Sequence, residues 1–277
     1  MKKLSILLAF FILFEIYLDA VKVFTAKAEP FYGDRSFEPV IISTFYTEYK
    51  SSSVERAHNI ELASKKLDGV FIEVGGEFSF NKTVGERSEK NGFLSSNVII
   101  DKKFTVGVGG GVCQVSSTLY NTAILAGLKI TEFHPHSLSV SYVYPSFDAM
   151  VSYGYADLRF VNTTDHPVYI KTTCKNKTLT ISLYGEKQKY TYLREYEITE
   201  ILPIDKEEIV VDELDEYGLS NGEVKYISYG KEGFKSKGYL STYDGKKLVN
   251  KKLIRSDIYY PMPKVLVVKK DDNTLDN

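Results

Sequence analysis

The feature that most constrains this chain is a run of three glycines directly before a cysteine, in the stretch GVGGGVCQVSSTLYNTAILAGL at 107–128. Leu119 and Ala123 recur at helical spacing and Gly127 ends the pattern, so we predict a helix that begins near Cys113. A helix N-terminus carries free N–H groups and partial positive charge, which stabilise a thiolate. The stretch therefore indicates a reactive cysteine, with a phosphate-binding loop and a buried structural thiol as alternatives.

The composition and the N-terminus indicate an exported globular protein. The 277 residues are 43% hydrophobic and 26% charged with a formal net charge of -1, which argues against a nucleic-acid partner. Two lysines precede an apolar run, and an Ala-Lys-Ala at 26–28 resembles a signal-peptidase site. Because Glu15 and Asp19 interrupt the apolar segment, residues 1–30 are predicted to be either a signal peptide or a membrane anchor.

The pattern of apolar residues predicts an α+β fold. A strand is expected over 38–47, followed by a helix that Ser52 or Ser53 caps and Asp68 stops. After the cysteine helix the period changes to two, with His136 beginning a predicted strand. We expect a mixed domain in which the cysteine-bearing helix packs on a mostly antiparallel sheet. The predicted boundaries are 38–187 for this domain, 188–270 for a small β-domain and 271–277 for a disordered tail.

A nucleophilic cysteine needs a base, normally a histidine that a third group orients. The segment FHPHSLSV at 133–140 supplies two histidines, and we predict His136 as the base with His134 in reserve. Asp148 is the first candidate for the orienting group, and Asp157 is the reserve because it has an equally good structural role beside a neighbouring arginine.

Three alternatives compete with a nucleophilic thiol. The glycine run lacks the Lys-Ser/Thr that would complete a phosphate-binding loop. A Cys followed 21 residues later by His-x-His matches no common zinc-ligand spacing and lacks a clear fourth ligand. Cys113 and Cys174 are the two cysteines and could form a disulfide, which thiol labelling would test. We expect a reaction that uses neither a metal nor a cofactor.

Several motifs together resemble the VanW-domain family over about half the chain, from ISTFYT at 42–47 to LYGE at 183–186. They include GGGVCQVSSTLYNTAILAGL, HPHS and FDAMVSYGYADLRFVN, with one departure at EVGGEFSFN, where the family more often has Pro before Gly. The resemblance implies a peptidoglycan L,D-transpeptidase that makes 3-3 cross-links, with Cys113 as the nucleophile. It also implies an extracytoplasmic, wall-facing location, secreted or N-terminally anchored, and stem peptides as partners of a monomer.

The resemblance extends the candidate site to groups that would bind substrate or stabilise an oxyanion. These candidates are Gly110, Gly111, Gln114, Ser137, Arg87 and Arg159, and the two arginines could equally form structural ion pairs. Residues 188–270 weakly resemble a G5-type module. Two other functions remain open, a non-catalytic wall-binding module and a cysteine peptidase (L,D-carboxypeptidase) acting on the same stems.

Overall fold

The structure is a computed structural model that describes residues 38–100 and 102–269. The predicted signal peptide or anchor and the predicted disordered tail lie outside these residues. In the part of the chain that the structure describes, no helix is long and apolar enough to cross a membrane.

Fifteen strands form most of the described structure. They are β1 (Val40–Glu48), β2 (Phe71–Ile72), β3 (Glu77–Ser79), β4 (Ser95–Ile100), β5 (Lys103–Val108), β6 (Lys129–Glu132), β7 (Arg159–Val161), β8 (Val168–Lys175), β9 (Thr178–Gly185), β10 (Thr191–Leu202), β11 (Glu207–Val211), β12 (Val224–Ser228), β13 (Gly233–Asp244), β14 (Lys247–Tyr259) and β15 (Lys264–Val268). They pair in five small sheets with the orders β1-β9-β8-β2, β10-β13-β14, β11-β15-β12, β3-β7-β6 and β4-β5.

Three α-helices lie among the described residues: α1 (Val54–Leu67), α2 (Phe80–Val84) and α3 (Val112–Leu125). The predicted cap of α1 is confirmed, because the Ser53 side chain accepts a hydrogen bond from the Arg56 N–H. α1 ends at Leu67, with Asp68 as its C-cap residue, and Gly69 then takes a left-handed φ of 81°.

The predicted fold class, α+β with the cysteine helix packed on a mostly antiparallel sheet, is wrong. Strands make up 45% of the structure and helices 16%, so the protein is mostly β. The single expected sheet is replaced by five, and α3 is enclosed by the protein instead of packing through one apolar face. Every residue of α3 is buried except Cys113 and Leu125, including a row of serines, threonines and asparagine that hydrogen bonds satisfy.

The predicted histidine strand is also wrong, because residues 133–158 form an irregular loop that carries only an isolated bridge between Ser152 and Ala156. Backbone groups in this loop bond within the loop or to other segments. The Met150 N–H donates to the His134 carbonyl at 2.7 Å, and the Ala149 N–H donates to the Ser117 hydroxyl of α3 at 2.9 Å. Alternating burial therefore does not require a strand here, and we call residues 133–158 the histidine loop.

The main core lies between α1, α3 and the sheet that contains β1, β9 and β8. Its largest fully buried side chains include Ile60 and Leu67 of α1, Leu119 of α3 and Ile170 of β8. This core fixes α3, and the histidine loop packs along that helix from Cys113 to Asn121.

Candidate active site

Cys113 lies in the first turn of α3. The glycines before it allow a backbone path that residues with side chains could not follow. Gly111 caps the helix with a left-handed φ of 104°, which L side chains rarely adopt. A Cβ atom at Gly110 would lie 2.6 Å from the carbonyl oxygen of Asn97 in β4. The glycine run is therefore required by backbone conformation and by close packing against the β4–β5 hairpin.

The first turn of α3 leaves backbone donors beside the cysteine. The Val112 and Gln114 N–H groups donate to the carbonyls of Gly109 and Gly111, at 3.1 and 3.0 Å. The Cys113 N–H has no acceptor within residues 38–100 and 102–269. An unpaired N–H at a helix N-terminus can stabilise negative charge on an oxygen bound next to the sulfur.

The Cys113 thiol is half-buried and donates to the Val151 carbonyl at 3.5 Å. Burial raises the pKa of this thiol, but the hydrogen bond and positive charge of His136, together with the charge of Arg87, lower it overall. The environment therefore favours a thiolate, which is the nucleophilic form of cysteine.

His136 and Asp148 form a buried pair, with side chains 5% and 1% exposed. Asp148 Oδ2 accepts from the His136 ring Nδ1 at 2.6 Å and from the His136 backbone N–H at 2.7 Å. Burial would lower the pKa of His136, but the bonds to Asp148 and Cys113 raise it overall. Because Nδ1 bonds to Asp148, Nε2 is left for the cysteine.

Burial also raises the pKa of Asp148, but its bond to His136 and the charges of His136 and Arg255 lower it overall. Asp148 is therefore an ionised carboxylate inside the protein. The structure brings the first-choice residues Cys113, His136 and Asp148 together in the order that a nucleophile, a base and an orienting acid require.

The reserve candidates lie elsewhere. The His134 ring contacts Glu132 at 3.0 Å, and both side chains are about one-third exposed, at 37% and 34%. Asp157 accepts from the Ser79 hydroxyl at 2.5 Å and from the Asn81 N–H at 2.8 Å, so it caps the start of α2. Neither residue takes part in the contacts of Cys113.

Polar residues on α3 hold the segment that carries Asp148, and the sequence prediction missed this role. The Ser117 hydroxyl accepts from the Ala149 N–H at 2.9 Å and donates to the Cys113 carbonyl at 2.7 Å. The Asn121 side chain donates to the Phe147 carbonyl at 2.7 Å. The available signal was their spacing: Ser117 and Asn121 are four residues apart and share one helix face.

Two half-buried arginines flank the cysteine. Arg87 donates to the Gly85 carbonyl and to the Asn81 side chain, and it lowers the pKa of Cys113. Arg56 donates to the Ser52 hydroxyl and to Gln114 and also interacts electrostatically with Cys113. Among the residues described, neither guanidinium forms an ion pair with a carboxylate.

Arg56 was not among the predicted site residues. Its one sequence signal is its position on α1, four residues before the buried Ile60 and next to the buried Ala57. A charged residue at such a position directs its head group to the edge of a buried helix face.

Two predicted binding residues, Gln114 and Arg159, have side chains committed to other partners, and a third, Ser137, has a committed backbone carbonyl. The Gln114 side chain is buried and donates to the Thr47 hydroxyl and the Glu48 carbonyl, so it has no free N–H for an oxyanion. Arg159 forms ion pairs with three carboxylates, those of Glu77, Glu132 and Asp157. The Ser137 carbonyl accepts from the Tyr260 N–H at 2.8 Å.

A surface cleft of about 300 Å³ opens at Asn81, and neither Arg87 nor Cys113 lines it. Its walls include Asn81, which binds Arg87, together with Tyr153, Tyr155, Asp157 and Arg159. Tyr153 and Tyr155 are exposed at 56% and 82%, so the cleft presents aromatic surface next to the arginine.

Cys113 and Cys174 are both free in the structure, and Cys174 lies on β8. Within the described residues, no group of three or more His, Cys, Asp or Glu side chains could hold a metal ion. The contacts of Cys113 are therefore those of a free thiol beside a histidine.

Comparison with known proteins finds similar sequences for about half of the chain. Residues 55–184 match the family model described as VanW like protein. The uncharacterized protein YoaR of Bacillus subtilis is 40% identical over 144 residues, which cover 52% of this chain and 48% of YoaR. The Vancomycin B-type resistance protein VanW of Enterococcus faecalis is 28% identical over 138 residues, covering 48% of this chain and 50% of that protein.

The chain therefore spans about half the length of the curated relatives it matches. Two solved G5 domains are also similar: HP0197-G5 at 26% identity and the IgA1 protease G5 domain at 21%. They cover 29% and 31% of this chain and 99% and 96% of their own, with TM-scores of 0.16 and 0.19, which support no argument about the fold. The prediction of a VanW-type domain is confirmed, since residues 55–184 match the VanW-like family model.

Proposed function

We propose that this protein is a cysteine L,D-transpeptidase that forms 3-3 cross-links between peptidoglycan stem peptides. The observation that carries the proposal is the buried His136–Asp148 pair, whose histidine lowers the pKa of the Cys113 thiol. The resemblance to VanW-domain proteins supplies the proposed substrate, and the Enterococcus faecalis relative is named a vancomycin resistance protein.

In the first half-reaction, the Cys113 thiolate attacks the carbonyl carbon of diaminopimelate in a donor tetrapeptide stem. A C–S bond forms as the C–N bond to the terminal D-alanine breaks. The leaving amine takes its proton from the His136 imidazolium, which becomes neutral. The Cys113 N–H is placed to stabilise the oxyanion of the tetrahedral intermediate.

In the second half-reaction, the side-chain amine of an acceptor stem attacks the thioester. Neutral His136 takes a proton from this amine, a C–N bond forms and the C–S bond breaks. The thiolate and the imidazolium are thereby restored. If water replaces the amine, the same intermediate gives a shortened stem, which is the carboxypeptidase alternative.

The arginines beside Cys113 support a substrate that carries carboxylates. A donor stem has free carboxylates on its terminal D-alanine and on the diaminopimelate side chain. Arg56 and Arg87 lie near the sulfur with guanidinium groups that are not used in ion pairs, and Arg forms strong bidentate contacts with carboxylates. The cleft that Asn81 lines has a volume in the range of small-ligand sites, about 300–1,000 Å³.

This proposal places the protein outside the cytoplasm, facing the cell wall, secreted or attached by its N-terminus. Peptidoglycan stems are its proposed partners, and the described residues act as a monomer. The apolar run near the N-terminus supports export.

Purified muropeptides test the proposed reaction. The full-length chain is incubated with a tetrapeptide-stem muropeptide, and the products are analysed by mass spectrometry. We expect dimers with the mass of a 3-3 cross-link and released D-alanine, with no dimers from Cys113→Ala. The matched control is Cys174→Ser, which should retain wild-type yield.

Three other outcomes would contradict the proposal. Shortened monomeric stems without dimers would indicate a carboxypeptidase. Dimers that persist in Cys113→Ala would exclude a cysteine mechanism. Binding to the wall without either product would indicate a non-catalytic module.

A further inference from the structure

The two oxygens of Asp148 have different partners. Oδ2 bonds to His136, whereas Oδ1 accepts from the Tyr259 hydroxyl at 2.5 Å and from Arg255 Nη2 at 3.4 Å. Arg255 also donates from Nη1 to the Asp148 backbone carbonyl at 2.5 Å. One side of the carboxylate thus faces the candidate catalytic histidine and the other faces β14.

Both β14 residues lie beyond the matched VanW-like region, which ends at residue 184. We propose that Tyr259 and Arg255 are positioning residues that hold Asp148 against His136, so that strands outside the family domain complete the candidate active site. This inference rests on the proposed cysteine chemistry and assigns a role to the C-terminal strands within it.

Burial and charge balance support the assignment. The side chains of Arg255 and Asp148 are each 1% exposed, and the second acid beside Arg255, Asp257, is 3% exposed and bonds to Arg255 Nε at 2.7 Å. A buried carboxylate is strongly unfavourable unless charged or hydrogen-bonding groups compensate it. Arg255 therefore compensates Asp148 on the side that His136 does not reach.

The hydroxyl of Tyr259 also fixes the backbone next to Asp148. It accepts from the Ser146 N–H at 2.8 Å while it donates to Asp148, so one oxygen connects both groups. Ser146 has a φ of 63°, a left-handed conformation that costs a non-glycine residue energy and persists only where neighbours hold it. The Ser146 hydroxyl bonds to Ser236 of β13 at 2.7 Å.

The backbone of β13 lies directly on this turn. A Cβ atom at Gly238 would lie 2.9 Å from the Cβ of Ser146 and 3.1 Å from its carbonyl oxygen. A second contact lies earlier in the histidine loop, where the Tyr260 N–H donates to the Ser137 carbonyl. The C-terminal strands thus hold both ends of the stretch that separates His136 from Asp148.

The pH dependence of Cys113 alkylation tests this role, with every variant made in full-length protein that carries Cys174→Ser. Tyr259→Phe removes one hydroxyl, and Tyr239→Phe is the matched control because its hydroxyl bonds to the exposed Glu197 instead. Losing the donor increases the negative potential at His136 and Cys113, which disfavours the thiolate. The low-pH limb of the profile, where the rate of reaction with iodoacetamide rises as the thiol ionises, should therefore move up by roughly 0.5–1 pH unit. Tyr239→Phe should leave it unchanged.

Arg255 provides an independent second variant. Arg255→Met removes a positive charge and should shift the same limb upward, and Arg255→Lys should restore part of the shift because it keeps the charge. No variant replaces the other ionisable groups near Cys113, Asp148 and Arg255, which are Arg56, Arg87, Tyr120, Tyr142 and Asp257. Thermal unfolding identifies variants that fold.

The outcomes separate this inference from the proposed reaction. If folded Tyr259→Phe and Arg255→Met match the wild type in both the pH profile and the rate of alkylation, the positioning role is wrong even if the wild type makes cross-links. If the limb shifts but no variant, including the wild type, makes dimers, the positioning role stands and the transpeptidase proposal fails.

Discussion

His134 and His136 both contact a carboxylate, but the two pairs differ in burial and in what holds the acid. The His134–Glu132 contact is 3.0 Å long with both side chains about one-third exposed, whereas the His136–Asp148 contact is 2.6 Å long and buried. Exposed ion pairs contribute little because water and salt screen them. The environment of the acid, and not the presence of a histidine–acid contact, therefore distinguishes the candidate catalytic pair.

The largest expected difference between the two pairs is in catalysis. His136→Ala removes the group that stabilises the thiolate and protonates the leaving amine, so cross-linking should fall about 10³–10⁴-fold. His134→Ala should change the rate less than about twofold, because its ring contacts a screened surface carboxylate. Initial rates of muropeptide dimer formation measure both variants. Equal losses in the two variants would mean that the burial argument is wrong.

Substitution of the two acids, Asp148 and Glu132, should also change the cross-linking rate unequally, but by less than substitution of the histidines. Asp148→Asn keeps the shape but removes the charge that orients and stabilises the imidazolium, so the rate should fall about 10²–10³-fold. Glu132→Gln should leave the rate within about twofold and change the free energy of unfolding by about 0–1 kcal/mol. Rates together with urea unfolding check both values. An Asp148→Asn variant with full activity would contradict the assigned role.

The pH dependence of thiol reactivity should show the coupling between Cys113 and His136. The pKa of Cys113 is lowered and that of His136 is raised, so the thiolate–imidazolium pair exists between the two values. Alkylation should therefore begin at a pH below the ordinary cysteine value of about 8.5 and reach a plateau. In His136→Ala the limb should move toward or above that ordinary value, whereas His134→Ala should keep the wild-type profile.

The support that α3 gives to the Asp148 segment should appear as stability. Ser117→Ala leaves the buried Ala149 N–H without its acceptor, which should lower the free energy of unfolding by about 1–3 kcal/mol. Ser182→Ala is the control, because that hydroxyl bonds to Thr44 on an exposed sheet face and should change stability by less than about 0.5 kcal/mol. Chemical denaturation measures both, and equal effects would contradict the role of Ser117.

The local elements of this protein could be predicted from the sequence because their signals are local. The cap at Ser53, the glycines before Cys113 and the alternation in β8 and β9 each depend on neighbouring residues. The fold class could not be predicted, because it depends on how strands far apart in the chain pair into separate sheets.

In the candidate site, too, local features could be predicted and long-range contacts could not. Cys113, His136 and Asp148 could be chosen from motif chemistry, but the histidine segment was predicted as a strand, because buried and exposed residues also alternate in a loop that other segments bind. The sequence offered no signal for Arg255 and Tyr259, which follow Asp148 by 107 and 111 residues. Such contacts come from tertiary packing, which a local pattern does not encode.

Intact-mass spectrometry of the protein with a donor tetrapeptide stem tests the central claim most directly. If Cys113 acts through His136 and Asp148, the protein without an acceptor should gain the mass of the stem minus D-alanine. Peptide mapping should place this adduct on Cys113, hydroxylamine should release it, and Cys113→Ala should lack it while Cys174→Ser retains it. An unmodified protein with intact donor, or an adduct on any other residue, would contradict the claim.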